Sequence, residues 1–199
     1  MKKYTVIYTD TPDWARIPAA PMDELPWTER SGVRAYAQLC RTADALLLHL
    51  AAAERNIRAE ERPPLGMPCR DSCLEFFFCP EEGDERYFNL EFSPSGCIYV
   101  GFGRSRTEHS RLLVNGAEEL FAPRIKYTAD GWEIFFRVPF AFIRTFCPAF
   151  SPLPGKSIRA NFYKCGDETP APHYLAWNRV ESETPDFHRP QDFGLLTFE

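Results

Sequence analysis

Apolar and polar positions alternate from Cys73 onward. Leu74, Phe76 and Phe78 fall on one face of an extended chain and Cys73, Glu75 and Phe77 on the other, since successive side chains of a strand point to opposite sides. A turn at Pro80-Glu81-Glu82-Gly83-Asp84-Glu85 leads into a second alternating run. That run sets Phe88, Leu90 and Phe92 on one face and Tyr87, Asn89 and Glu91 on the other. Further strands are predicted at residues 96–101, 132–138, 158–165, 174–177 and 195–198. One short helix is predicted at 139–146, where Pro139 suits a first turn and Phe142, Ile143 and Phe146 share a helical face.

An Ala- and Leu-rich stretch is ambiguous, because its composition also suits an amphipathic helix. The alternations Val33/Ala35/Ala37/Leu39 and Leu46/Leu48/Leu50/Ala52, broken at Thr42-Ala43-Asp44, favour two strands and a turn. The Pro-rich residues 19–27 read as a loop. Neither a repeat nor a long linker divides the chain, so residues 1–199 are expected to form one domain. Many strands with turns between them predict an all-β, antiparallel β-sandwich, immunoglobulin- or jelly-roll-like, with one short helix.

Composition agrees with this picture: 17 Phe, 8 Tyr and 18 Pro suit short strands and turns better than a helical bundle. A net charge of −5 and the lack of a sustained Lys/Arg run argue against a nucleic-acid partner. The apolar stretches call for no membrane partner, and the N-terminus breaks off before any run of signal-peptide length. Seven cysteines cannot all pair within one chain, and none forms a CxxC cluster with a matching second half. They read as reduced thiols, and the expected location is cytoplasmic.

If the hairpin pairs symmetrically about Gly83, Phe77 faces Asn89, and Glu75 faces Glu91 on the side away from the core. Two carboxylates directly opposed across a ladder usually cost up to about 1 kcal/mol, so a cation, a shared proton or ligand hydroxyls should compensate them. The alternative is a pair of solvated glutamates on an open face. As a site, the pair suits two chemistries. Glycoside hydrolysis needs two carboxyl groups about 5 to 9 Å apart. Sugar binding uses the same groups to accept hydroxyl hydrogen bonds while an aromatic ring covers the apolar face of the sugar.

Trp177, at a strand end between His173 and Asn178, is the candidate aromatic, although core packing is the default for any tryptophan. Trp132, alternating with Ile134, Phe136 and Val138, belongs in the core, and Asn161 is placed with the polar face. His49, His109, His173 and His188 show no metal-ligand spacing. No Ser or Cys sits in a nucleophile elbow, and Gly101-Phe102-Gly103 lacks the context of a nucleotide loop.

Several segments carry a family likeness. They are Asp71-Ser72-Cys73-Leu74-Glu75-Phe76-Phe77-Phe78, Tyr87-Phe88-Asn89-Leu90-Glu91, residues 159–167, His173-Tyr174-Leu175-Ala176-Trp177, and residues 185–198 with their FHRP-x-x-FG stretch. From about Trp27 to Glu199 the chain resembles the carbohydrate-binding module family 9-like domains, the type appended to xylanases. The resemblance implies a non-catalytic β-sandwich that holds a sugar ring between two tryptophans, with carboxylates and amides on its hydroxyls and calcium ions bracing loops. Glu75 matches the acidic position and Trp177 looks like the second aromatic. Where the first would stand, residues 63–70 contain no Trp, Tyr or Phe.

The expected ligand is a plant-type polysaccharide or fragments such as xylan- or cellulose-derived sugars, in carbohydrate catabolism. The expected binding face is Glu75, Asn89, Glu91, Asn161, His173 and Trp177. The competing readings are a glycoside hydrolase using Glu75 and Glu91, and an interaction domain that has lost its sugar. Nothing in the sequence sets an oligomeric state.

Overall fold

The computed structural model describes residues 1–28 and 32–199. Its strands are β1 (Lys3–Tyr8), β2 (Ala20–Pro21), β3 (Arg34–Arg41), β4 (Ala45–Ala53), β5 (Cys73–Cys79), β6 (Tyr87–Phe92), β7 (Ile98–Gly103), β8 (His109–Arg111), β9 (Arg124–Tyr127), β10 (Gly131–Pro139), β11 (Ser157–Cys165), β12 (Tyr174–Ala176) and β13 (Gly194–Phe198). Two short α-helices, α1 (Ala117–Phe121) and α2 (Phe140–Phe146), and 3-10 turns at Pro68–Arg70 and Pro190–Asp192 complete the described residues. The expected helix is α2, with Pro139 at its N-cap; the five-residue α1 had no sequence signal.

The Ala-rich stretch forms an antiparallel hairpin that sets Leu39 opposite Leu48 and Ala37 opposite Leu50. Tertiary pairing here overrides the helix propensity of Ala and Leu, because only the period-two arrangement turns Leu46, Leu48 and Leu50 together into the core.

One sheet runs β8-β7-β6-β5-β11-β13-β1, with β12 added on β11, and the other runs β1-β3-β4-β10-β9, with β2 added on β3. β1 belongs to both. Residues 3–6 pair with β13, and Ile7 and Tyr8 pair with β3. Both of these pairings are parallel, whereas every other ladder between the named strands is antiparallel. The expected sandwich is therefore present as a mixed sheet that curls over its own core, with β1 at the corner.

Leu74, Phe76 and Phe78 of β5, Phe88, Leu90 and Phe92 of β6, and Trp132, Ile134 and Phe136 of β10 fill the space between the layers. Each such side chain contributes about 1.5–3 kcal/mol by leaving water. The opposite face of β5 and β6 is covered too. Cys73, Phe77, Tyr87, Tyr163, Phe187 and Phe193 form a second apolar cluster there, closed by the segment before β13. All seven residues of β5 and all six of β6 are buried.

Candidate functional site

The β5–β6 hairpin pairs in the symmetric register, with Phe77 opposite Asn89 and Glu75 opposite Glu91. Because loops cover this face, the two carboxylates are not solvated: Glu75 is 2% exposed and Glu91 6%. Burial raises the Glu75 carboxyl to about 7. Burial, with the Glu75 charge added to it, holds Glu91 well above the usual carboxylate range. The buried ammonium of Lys164 is paired with Glu54, and the half-buried Arg58 with Asp71. Glu91 Oε1 accepts from Asn89 Nδ2 at 2.8 Å, and Glu75 Oε1 accepts from the Cys165 thiol at 2.9 Å. Among the described residues, Glu91 Oε2 and Asn89 Oδ1 are buried with no hydrogen-bond partner.

A cavity of about 360 Å³ opens over this pair. Its polar groups include Glu75, Glu91, Asp167, Asp186 and Arg106, and its walls include Trp27, Phe77, Tyr99, Tyr174 and Phe187. Trp27 meets Phe187 at 5.3 Å and Tyr174 edge-on at 5.7 Å, and its indole donates to the Ser182 carbonyl at 2.7 Å. Phe187 is fixed from behind by stacking on Tyr163 at 4.0 Å. Tyr99 stands opposite Glu91 on β7, with the Arg111 guanidinium over its ring at 4.7 Å. His109 and His188 also line the cavity, 5.2 Å apart. Burial depresses both imidazoles to about 4, so both are neutral at pH 7. Gly101, opposite Asn89, leaves the room that Asn89 and His109 occupy; a Cβ there would collide with both.

Three of the expected residues, Glu75, Asn89 and Glu91, are thus brought together, and three are not. Asn161 is spent on the backbone: its amide donates to the Asn178 carbonyl and its oxygen accepts from the Phe162 and Asn178 amides, tying β11 to the chain after β12. His173 lies away from the cavity, its Nε2 2.8 Å from Lys164 Nζ and 3.8 Å from Glu54. Trp177 is 3% exposed and packs in the interlayer core against Phe162 at 5.6 Å and over Gly194, where a Cβ would collide with its ring. The rings that wall the cavity instead include Trp27, Tyr174 and Phe187. Of these, Tyr174 lies three residues before Trp177, and Phe187 belongs to the FHRP-x-x-FG stretch. Trp27 had no signal, since an irregular loop carries no periodicity to aim a side chain.

A larger hollow of about 500 Å³, lined by Pro63, Pro64, Ile98, Leu112, Leu113 and Val114 among others, contains no aromatic ring. The calcium implied by the resemblance takes hard oxygen donors. The buried Asp71 carboxylate is already served by the Arg58 guanidinium and the Glu60 and Glu61 amides. Among the described residues, the cluster of three potential ligands is Cys73, Glu75 and Cys165, whose two sulfurs do not fit calcium.

Comparison with known proteins gives one family, carbohydrate-binding family 9, whose model matches residues 9–198. Among solved structures, a protein of Bacteroides uniformis proposed to bind carbohydrate superposes with a TM-score of 0.86 at 26% identity, covering 100% of this chain and 99% of that one. A family 9 carbohydrate-binding module of Caldicellulosiruptor kristjanssonii in complex with glucose gives a TM-score of 0.63 at 13% identity, covering 100% and 96%. A module of the same family and organism in complex with cellotriose gives 0.65 at 12% identity, covering 100% and 94%. No curated protein matches.

Proposed function

Since the chain belongs to carbohydrate-binding family 9, we propose that it binds carbohydrate without cleaving it, in the cavity over Glu75 and Glu91. The observation that carries this reading is a buried carboxyl oxygen, Glu91 Oε2, with no partner among the described residues, in a cavity walled by aromatic rings. A sugar supplies what both features lack: hydroxyls, which can donate to a carboxylate or accept from a carboxylic acid, and C–H faces for the rings. The cavity also falls in the size range of small-molecule sites, about 300–1,000 Å³. Glucose and cellotriose in the related modules support a cellulose-derived sugar as the ligand class; a xylan-derived fragment and a role in plant-polysaccharide catabolism belong to the same proposal.

The opposed carboxylates also favour, as a second reading, a hydrolase. A glycosidase needs one of its two carboxyls ionised as base or nucleophile. Here burial pushes both toward the protonated form, and Glu91 Oε1 is held by Asn89. Hydrogen-bonding to hydroxyls asks for no such division of labour.

Calorimetric titration with glucose, cellotriose and xylotriose tests the reading. At least one should bind saturably at one site, and Tyr174→Ala should weaken it roughly two- to tenfold, since ring contacts contribute about 0.5–1.5 kcal/mol each. No binding to any of these or to a wider glycan panel contradicts the proposal. Release of reducing ends that disappears in Glu91→Gln would establish the hydrolase instead.

A further inference from the structure

We propose that Cys73, Glu75 and Cys165 form a binding site for a thiophilic divalent cation of the zinc class at the base of the cavity. Cys73 and Cys165 are direct partners across the β5–β11 ladder, and Glu75 follows two residues after Cys73 on the same face. One donor atom from each lies within 4.8 Å of the others, close enough for one ion to reach all three. All three residues are buried and both cysteines are free thiols.

An unpartnered polar atom lies beside the cluster, outside the donor set itself. Glu91 faces Glu75 across the neighbouring ladder, lines the cavity, is 6% exposed, and leaves Oε2 without a partner. Three ligands and a fourth place toward the cavity match the pattern of zinc sites that keep one position for water, a carboxylate or a ligand. Two sulfurs select against calcium and magnesium. Lys164, the nearby ammonium, is also paired with Glu54 at 3.2 Å. On binding, two thiol protons and any proton on Glu75 pass to solvent, and the ion takes two thiolates and a carboxylate, so no oxidant or reductant is required. The proposal does not rest on sugar binding.

The test uses the full chain, stripped with a chelator under reducing conditions and titrated with Co²⁺ and then Zn²⁺. Expected are one equivalent bound, a thiolate-to-cobalt charge-transfer band, and displacement of cobalt by zinc. Cys73→Ser and Cys165→Ser should each weaken zinc binding by more than about 100-fold, the upper end of what outer-shell partners alone cost, while Cys147→Ser leaves it unchanged. If the serine variants do not fold, X-ray absorption of the zinc-loaded wild-type protein decides. A first shell with two sulfurs supports the site, and one made only of nitrogen and oxygen overturns it. Absence of a charge-transfer band also overturns it.

Discussion

At the level of single residues, the pleat sets what the sequence reveals. Glu75, Asn89 and Glu91 were legible because a symmetric hairpin and a period of two fix both face and partner. Trp177 was not, because it follows the last residue of a three-residue strand and Gly194 leaves space for its indole on the core side. Trp177→Ala should therefore act on stability, costing about 3–5 kcal/mol as buried Trp→Ala changes do, with the folded fraction retaining its sugar affinity; chemical denaturation together with calorimetry checks both parts. Glu54 carries a comparable burden. It accepts from the Trp132 indole at 2.9 Å and the Ser72 hydroxyl at 2.9 Å and sits 3.2 Å from Lys164 Nζ. Glu54→Ala strands a buried ammonium and should cost about 3–5 kcal/mol, measurable as a shifted denaturation midpoint with unchanged slope.

At the level of elements, strands with several alternating apolar residues were legible, and those relying on tertiary partners were not. β8 and β9 are three and four residues long and mostly polar, and β1 depends on partners almost two hundred residues apart in part, since it pairs with β13. The segment before β13 does more than close the sandwich. Phe187 walls the cavity and His188 Nδ1 meets the Tyr87 hydroxyl at 2.7 Å. Arg189 holds Asp192 at 2.7 Å, while Arg159 reaches the Pro190 carbonyl at 3.0 Å. On the opposite side of the cavity, β7 is brought close by Gly101. Gly101→Ala should cost about 1–3 kcal/mol by overpacking and weaken sugar binding as Asn89 and His109 are displaced, which thermal melts and calorimetry on the same variant would show.

For the whole molecule, covering both faces of the β5–β6 hairpin converts a surface patch into a partly enclosed cavity whose titratable groups lose much of their solvent, and its titration behaviour follows. His109 and His188 have folded pKa values of about 4 against an ordinary 6.5, so between those values the unfolded chain binds more protons than the folded one. Their contribution to stability is present above about pH 6.5 and is lost as pH falls toward 4. Glu75, raised to about 7, acts in the opposite direction over much of the same window, so imidazole resonances, rather than a melting curve, are the proper readout. Both imidazoles should remain neutral at pH 5.5 in the folded protein; a midpoint near 6.5 for either would show that the cavity is wet.

Whether a sugar sits over Glu75 and Glu91 between aromatic walls is decided by following backbone amide resonances during titration with cellotriose. Saturable shifts should concentrate at Glu75, Glu91, Tyr99, Tyr174 and Phe187, with Asn56, Thr169 and His173, which line a separate hollow, unmoved. Shifts centred on the hollow between Pro63 and Val114, or around His173, would contradict that placement.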